Sequence, residues 1–123
     1  MSEQTVEVLV VESEKVARDA LHNLAHDAIP GAIITETPTL QEWMHHRNGD
    51  RPDVIILDAR LELIELAATV VPSAKIVALG LHDDPLYRRQ ALLSGAHAYV
   101  PREHAPEQLP DILSSVTALG TQT

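Results

Sequence analysis

The sequence predicts an α/β protein built on one parallel sheet with helices over both of its faces. Three observations carry this. Five apolar runs of strand length recur along the chain, at 6–11, 32–35, 54–57, 75–79 and 98–100, and segments with helical spacing lie between them. The runs VIIL and IVAL lack polar alternation, as strands covered on both faces do. The links are short, and strand-helix alternation with short links implies parallel pairing and right-handed crossovers.

Taken in order, VEVLVV opens the sheet and stops at Glu12-Ser13. The helix after it has Val16, Ala20, Leu21, Leu24 and Ala28 on one face, which is expected to turn inward. AIIT follows, then Thr37-Pro38, a capping side chain before a proline at the first helical position. Leu40, Trp43 and Met44 form the apolar stripe of that second helix. VIIL runs into Asp58, and ARLELIEL supplies the third helix. KIVAL ends at Gly80, Asp84-Pro85 starts a fourth helix, and Gly95 after Ser94 stops it. In that helix Ala91 and Leu92 fit the face toward the sheet. AYV is the fifth strand. Leu109, Ile112, Leu113, Val116 and Leu119 give the last helix its core face. Pro110, four residues after Pro106, removes a helical hydrogen bond, so that helix is expected to start near Gln108 or to bend. One domain is expected over 1–119, with 120–123 a frayed tail or the start of a linker.

Composition narrows the function. The 123 residues make about one domain, long enough to bury roughly two-thirds of the unfolded surface. The absence of cysteine excludes disulfides, thiolate metal sites and thiol chemistry. A net charge of -9, from 18 acids against 9 Lys and Arg, disfavours direct nucleic-acid binding, because phosphates need a basic footprint. Trp43, Tyr87 and Tyr99 are the only aromatics, so nothing is set up to stack bases or a flavin ring. MSEQTVEV reads as no signal peptide, and no apolar run approaches the roughly 20 residues that span a bilayer. A cytoplasmic protein without membrane contact is the simplest expectation.

Glu12 and Asp58 each end an apolar run. In an open parallel sheet ligands bind beyond the carboxyl ends of the strands. If the first and third strands are neighbours, Glu12, Ser13, Asp58, Gly80 and Arg102 share one edge. That set suits phosphoryl chemistry or a cation. The competing reading is that polar residues simply begin where strands end.

The resemblance to a known family bears on that choice. RPDVIILDAR is similar to the segment of response-regulator receiver domains, in two-component signalling, that carries the phosphoaccepting aspartate. IVALGLHDDPLYRRQALLSGAHAYVPREHAPEQL, residues 76–109, resembles the second half of receivers from regulators with a helix-turn-helix output. The resemblance implies a doubly wound, flavodoxin-like fold with strand order 2-1-3-4-5. It implies Asp58 as phosphoacceptor, a sensor histidine kinase or other signalling protein as partner, and Mg2+ at Glu12 and Asp58. It also shows departures. Ser13 stands where receivers carry the acid that binds magnesium directly, so weak metal binding is expected. Gly80 replaces the Ser or Thr that contacts the phosphoryl group, and Arg102 takes the place of the lysine. The aromatic of the fifth strand is kept as Tyr99. The segment after Asp58 looks shorter than in the family. Ser13 can also be read as the N-cap of the first helix. Arg102 could reach a phosphate, or lie across Asp58 or Glu12 as a standing salt bridge. An atypical receiver acting through protein contacts is expected; conventional phosphorylation is the alternative.

Other features have plainer readings. His22 and His26, at i and i+4, suit a zinc pair by spacing but lie off the apolar stripe, so a solvated face is expected; His45 and His46 are expected at the surface. Leu86 and Leu93 are one heptad apart, and polar residues commonly stand at these positions in receivers. Either they form a partner face, with homodimerisation through the fourth helix one form of it, or a rotated helix buries them. A flavodoxin-like electron carrier would need a neutral phosphate loop, which ESEK is not. A metal-dependent phosphohydrolase would need an acid beside Asp58, and Ala59-Arg60 supplies none, so no enzymatic turnover is expected.

Overall fold

A computed structural model describes the backbone of residues 5–121 and the side chains of residues 5–118. Five strands, β1 (Glu7–Val11), β2 (Ile33–Thr37), β3 (Val54–Asp58), β4 (Lys75–Gly80) and β5 (Ala98–Pro101), alternate with five helices. The helices are α1 (Lys15–Ala28), α2 (Leu40–His46), α3 (Leu61–Val70), α4 (Pro85–Leu93) and α5 (Ala105–Thr121), the last entered through a 3-10 turn at Arg102–His104. All pairings are parallel, in the order β2-β1-β3-β4-β5, as the resemblance implies.

Alternation along the central strands divides the core between the two faces. Val8, Val10, Val54, Ile56, Val77, Leu79 and Val100 pack with Leu21 and Ala25 of α1 and with Leu109, Leu113 and Val116 of α5. Leu9, Val11, Ile55, Leu57, Ile76, Ala78 and Tyr99 pack with Leu40, Trp43, Ile64, Ala67 and Ala91 on the opposite face. Each fully buried Val, Leu or Ile contributes about 1.5–3 kcal/mol, so the three inner strands dominate the stability.

Several local expectations are corrected. On α1 the inward face is Leu21 and Ala25, flanked by Leu24 and Ala28, while Val16 and Ala20 are exposed. Ser13 does not cap α1: Glu14 does, its carboxylate accepting from Ala17 N at 3.0 Å. On α2 the cap is Thr39, accepting from Glu42 N at 3.1 Å, and Pro38 lies before it. Thr37, whose hydroxyl donates to Thr39 O, ends β2 instead. On α4 only Ala91 is buried, and Leu92 is exposed. The last helix begins at Ala105, directly after the 3-10 turn, and runs through Pro110 rather than starting near Gln108. It continues to Thr121, beyond the expected domain edge; residues 122 and 123 and the Leu119 side chain lie outside the description.

Other starts and stops hold. Asp84 caps α4 with Pro85 in its first turn, and its carboxylate accepts from Leu86 N at 2.8 Å. Gly95 ends α4 at φ +124, where a Cβ would also press Ala68 at 3.1 Å. Leu40 and Trp43 are buried, with Met44 packed beside them. Among the described residues no helix is long and apolar enough to cross a membrane.

His97 joins the start of β4 to β5. Its N–H donates to Ile76 O at 2.8 Å, and its Nδ1 accepts from Ile76 N at 3.0 Å. An accepting imidazole nitrogen carries no proton. Burial, followed by the charge of Lys75, lowers its pKa from the ordinary 6.5. The unfolded chain therefore takes up a proton near pH 6.5 that the native state refuses. The contribution of His97 is complete above that pH and declines as pH falls below it. We expect the urea midpoint of the parent to fall more steeply between about pH 7.5 and 5 than that of His97→Gln, whose amide oxygen can still accept. Parallel pH profiles for the two proteins would contradict this.

Candidate functional site

The strand order places β1 beside β3, so Glu12 and Asp58 meet at the carboxyl edge. Glu12 follows β1, and its N–H donates to Thr37 O at 3.0 Å. Its Oε2 accepts from Glu14 N at 3.0 Å, which turns the chain into α1. Asp58 is the last residue of β3. Ala59 N donates to Leu79 O and Arg60 N to Asp58 O, and α3 begins at Leu61, so the link after Asp58 is short.

Arg102 closes the edge. Its Nη1 donates to Glu12 Oε1 at 3.1 Å and its Nη2 to Asp58 Oδ1 at 2.9 Å. The planar fork of a guanidinium makes this possible, since its two nitrogens address separate acceptors in one plane. The salt bridge expected with either acid is formed with both.

Asp58 stands between two open clefts. One, of about 450 Å³, is lined by Glu12, Ser13, Thr39, Leu81 and Arg102. The other, of about 340 Å³, is lined by Gly80, His82, Tyr87, Gln90 and Tyr99. Ser13 is exposed at the rim of the first cleft. Gly80 and Tyr99 belong to the second and interlock: a Cβ at Gly80 would overlap the Tyr99 phenol. The Tyr99 hydroxyl donates to His82 O at 2.7 Å. Burial pushes this phenol above the ordinary tyrosine value.

The site includes a brace that the sequence reading missed. Arg18 Nη1 donates to Glu12 O at 2.8 Å and to Ser13 O at 3.4 Å, while its Nε lies 3.6 Å from Glu36 Oε1. His22 faces the same carboxylate, its Nδ1 2.6 Å from Glu36 Oε2, and His26 is exposed. Glu36 could have been found, because it sits near the end of a strand as Glu12 and Asp58 do. The apolar run AIIT stops one residue before it, whereas β2 extends to Thr37. Leu86 and Leu93 on α4 are 58% and 77% exposed, so the rotated helix that would bury them is not adopted.

This architecture has known counterparts. A response regulator from Thermotoga maritima superposes with a TM-score of 0.81 at 18% identity, covering 94% of this chain and 99% of that one. RcsB of Salmonella typhimurium gives 0.83 at 16% identity over 98% of this chain and 64% of that one. The chain has the receiver fold. No family model matches the sequence. The methanol utilization control regulatory protein MoxX of Paracoccus denitrificans is 22% identical over 94% of this chain and 55% of that protein. The glycerol metabolism activator of Pseudomonas putida is 24% identical over 89% of this chain and 52% of that protein. The chain thus spans about half the length of the curated relatives it matches.

Magnesium is the cation that a receiver fold brings into question. The donor set here fits it poorly. Among the described residues no cluster of three or more acids or histidines is suited to a metal. The two carboxylates at the edge already share the guanidinium of Arg102, whose charge opposes a second cation there. Ser13 brings a hydroxyl without charge. Adding the charge back with Ser13→Asp should tighten magnesium binding by about tenfold, or ~1.4 kcal/mol. Amide chemical-shift titration of parent and variant checks this, and equal affinities would contradict it.

Proposed function

We propose that this chain is a receiver-type signalling domain with Asp58 as its phosphoacceptor position and with a pocket held in one state by Arg102. The observation that carries the reading is the guanidinium bound to both Glu12 and Asp58 at the carboxyl edge. Phosphoryl transfer to a carboxylate brings anions together and needs cationic help aimed at the incoming group. A guanidinium already bonded to the accepting carboxylate neutralises it and shields one of its oxygens. Phosphorylation is therefore slow or absent, and the domain works through contacts with other proteins rather than by turnover. Its partners would be a sensor histidine kinase or another cytoplasmic signalling protein. Conventional phosphorylation is the second reading, favoured by the exposure of Asp58 to solvent. Incubation with a small phosphodonor and magnesium, followed by phosphoprotein gel mobility, separates the two. The parent should label weakly, and Arg102→Lys combined with Ser13→Asp more strongly. Full labelling of the parent would favour the conventional reading, and labelling that persists in Asp58→Asn would remove Asp58 from the role.

The contact surface in this proposal is α4. Leu86 and Leu93 lie on one face of it, with Leu81 exposed before the helix and Tyr87 beside Leu86. Solvated leucines in a group mark an interaction face. A second copy of the chain is the partner we propose, each leucine contributing about 1.5–3 kcal/mol when fully buried. The double substitution Leu86→Glu with Leu93→Glu should move sedimentation toward monomer and leave circular dichroism unchanged. A parent that is monomeric at high concentration would contradict self-association.

A further inference from the structure

The helix α4 has little to hold it. Of its nine residues only Ala91 is buried, so apolar packing gives it one small anchor. Besides its contact with α3, its polar and ring contacts run to Tyr99. Arg88 of α4 lays its guanidinium 5.5 Å from the Tyr99 ring centre and donates through Nη1 to Tyr99 O at 3.2 Å. The Tyr99 hydroxyl holds the carbonyl of His82, in the loop that leads into α4. The His82 ring stacks on Tyr87 of α4, with ring centres 5.0 Å apart. One side chain of β5 therefore reaches α4 by two routes.

Tyr99 is itself fixed. It pairs with Ala78 across the β4–β5 ladder, and its phenol extends over Gly80 on the same face. Two small residues of β4 make the slot, and the ring fills it, leaving Tyr99 2% exposed. Gly80 is needed for room rather than for its backbone, since any Cβ there meets the ring. The slot shares a cleft with Asp58, yet Gly80 has no side chain to carry a change at Asp58 across to the ring.

We infer that Gly80 and Tyr99 form a permanent latch that sets the position of α4 independently of the state of Asp58. The inference rests on the receiver reading only for the meaning of Asp58. A group added to Asp58 changes the cleft but meets no side chain at position 80, and Tyr87 and Gln90, the α4 residues that line that cleft, are both exposed, so the Tyr99 contacts keep the leucine face of α4 presented in either state.

Two measurements test this. Tetranitromethane should nitrate Tyr87 alone in the parent and both tyrosines in Gly80→Ala, read as one or two additions in intact mass. A folded Gly80→Ala protein in which Tyr99 stays protected would overturn the slot. If Gly80→Ala does not fold, Tyr99→Phe keeps the ring and removes only the bond to His82. Tyr99→Phe should shift the amides of 81–84 and the methyl signals of Leu86, whereas Asp58→Asn should leave the methyls of Leu86 and Leu93 in place. Methyl shifts in Asp58→Asn as large as those in Tyr99→Phe would overturn the independence. The receiver reading fails separately: phosphodonor labelling that persists in Asp58→Asn would count against Asp58 as its acceptor and leave the latch result standing.

Discussion

A guanidinium shared by two carboxylates organises the carboxyl edge of this sheet. Glu12 follows β1, Asp58 ends β3 and Arg102 follows β5, so one side chain ties three strand ends together past the end of β4. The two halves of the interaction differ. The Glu12 side chain is 10% exposed and that of Asp58 is 42% exposed. Stripping the partner from a buried charge costs about 3–5 kcal/mol, while exposed pairs are worth about 0–1 kcal/mol. The Glu12 half is therefore the structural one, and the Asp58 half is the one that chemistry at Asp58 could release. Arg18 supports the structural half from behind by holding the backbone carbonyls of Glu12 and Ser13.

A parallel sheet covered on both faces leaves its carboxyl edge as the natural place for polar side chains to converge. That rule, applied to the ends of apolar runs and joined to the strand order that the resemblance implies, brings Glu12, Asp58 and Arg102 together from the sequence. Runs such as VIIL marked the inner strands because nothing polar interrupts them. Helix faces were harder to read. On α1, Val16 and Leu21 both fit an apolar stripe, and only packing against β1 and α5 decides that Leu21 turns inward. Caps were misplaced by one or two residues at Ser13 and Thr37, because Glu14 and Thr39 are equally able to accept. Glu36 and its partners Arg18 and His22 were missed because β2 was read too short. The overlap of Tyr99 with a would-be Cβ at Gly80 has no sequence signature, since it depends on the angle at which a ring crosses the neighbouring strand.

The molecule thus has two polar centres on one edge with different jobs. The Glu12, Asp58 and Arg102 group balances charge and exposes a carboxylate. The Tyr99 and His82 group fixes the entrance to α4 and, with it, an exposed row of leucines. They adjoin through the cleft at Asp58, which His82 and Tyr99 also line, and the β4 residue between them, Gly80, has no side chain.

In the resting protein Arg102 is held by both acids. Nitrogen-15 NMR of arginine side chains tests it most directly, because a guanidinium fixed by two acceptors rotates slowly about its Cζ–Nε bond. The account predicts separate Nη1 and Nη2 resonances for Arg102 in the parent, merging when Asp58→Asn and Glu12→Gln are combined. A single averaged Nη resonance in the parent, like that of an exposed arginine, would contradict it.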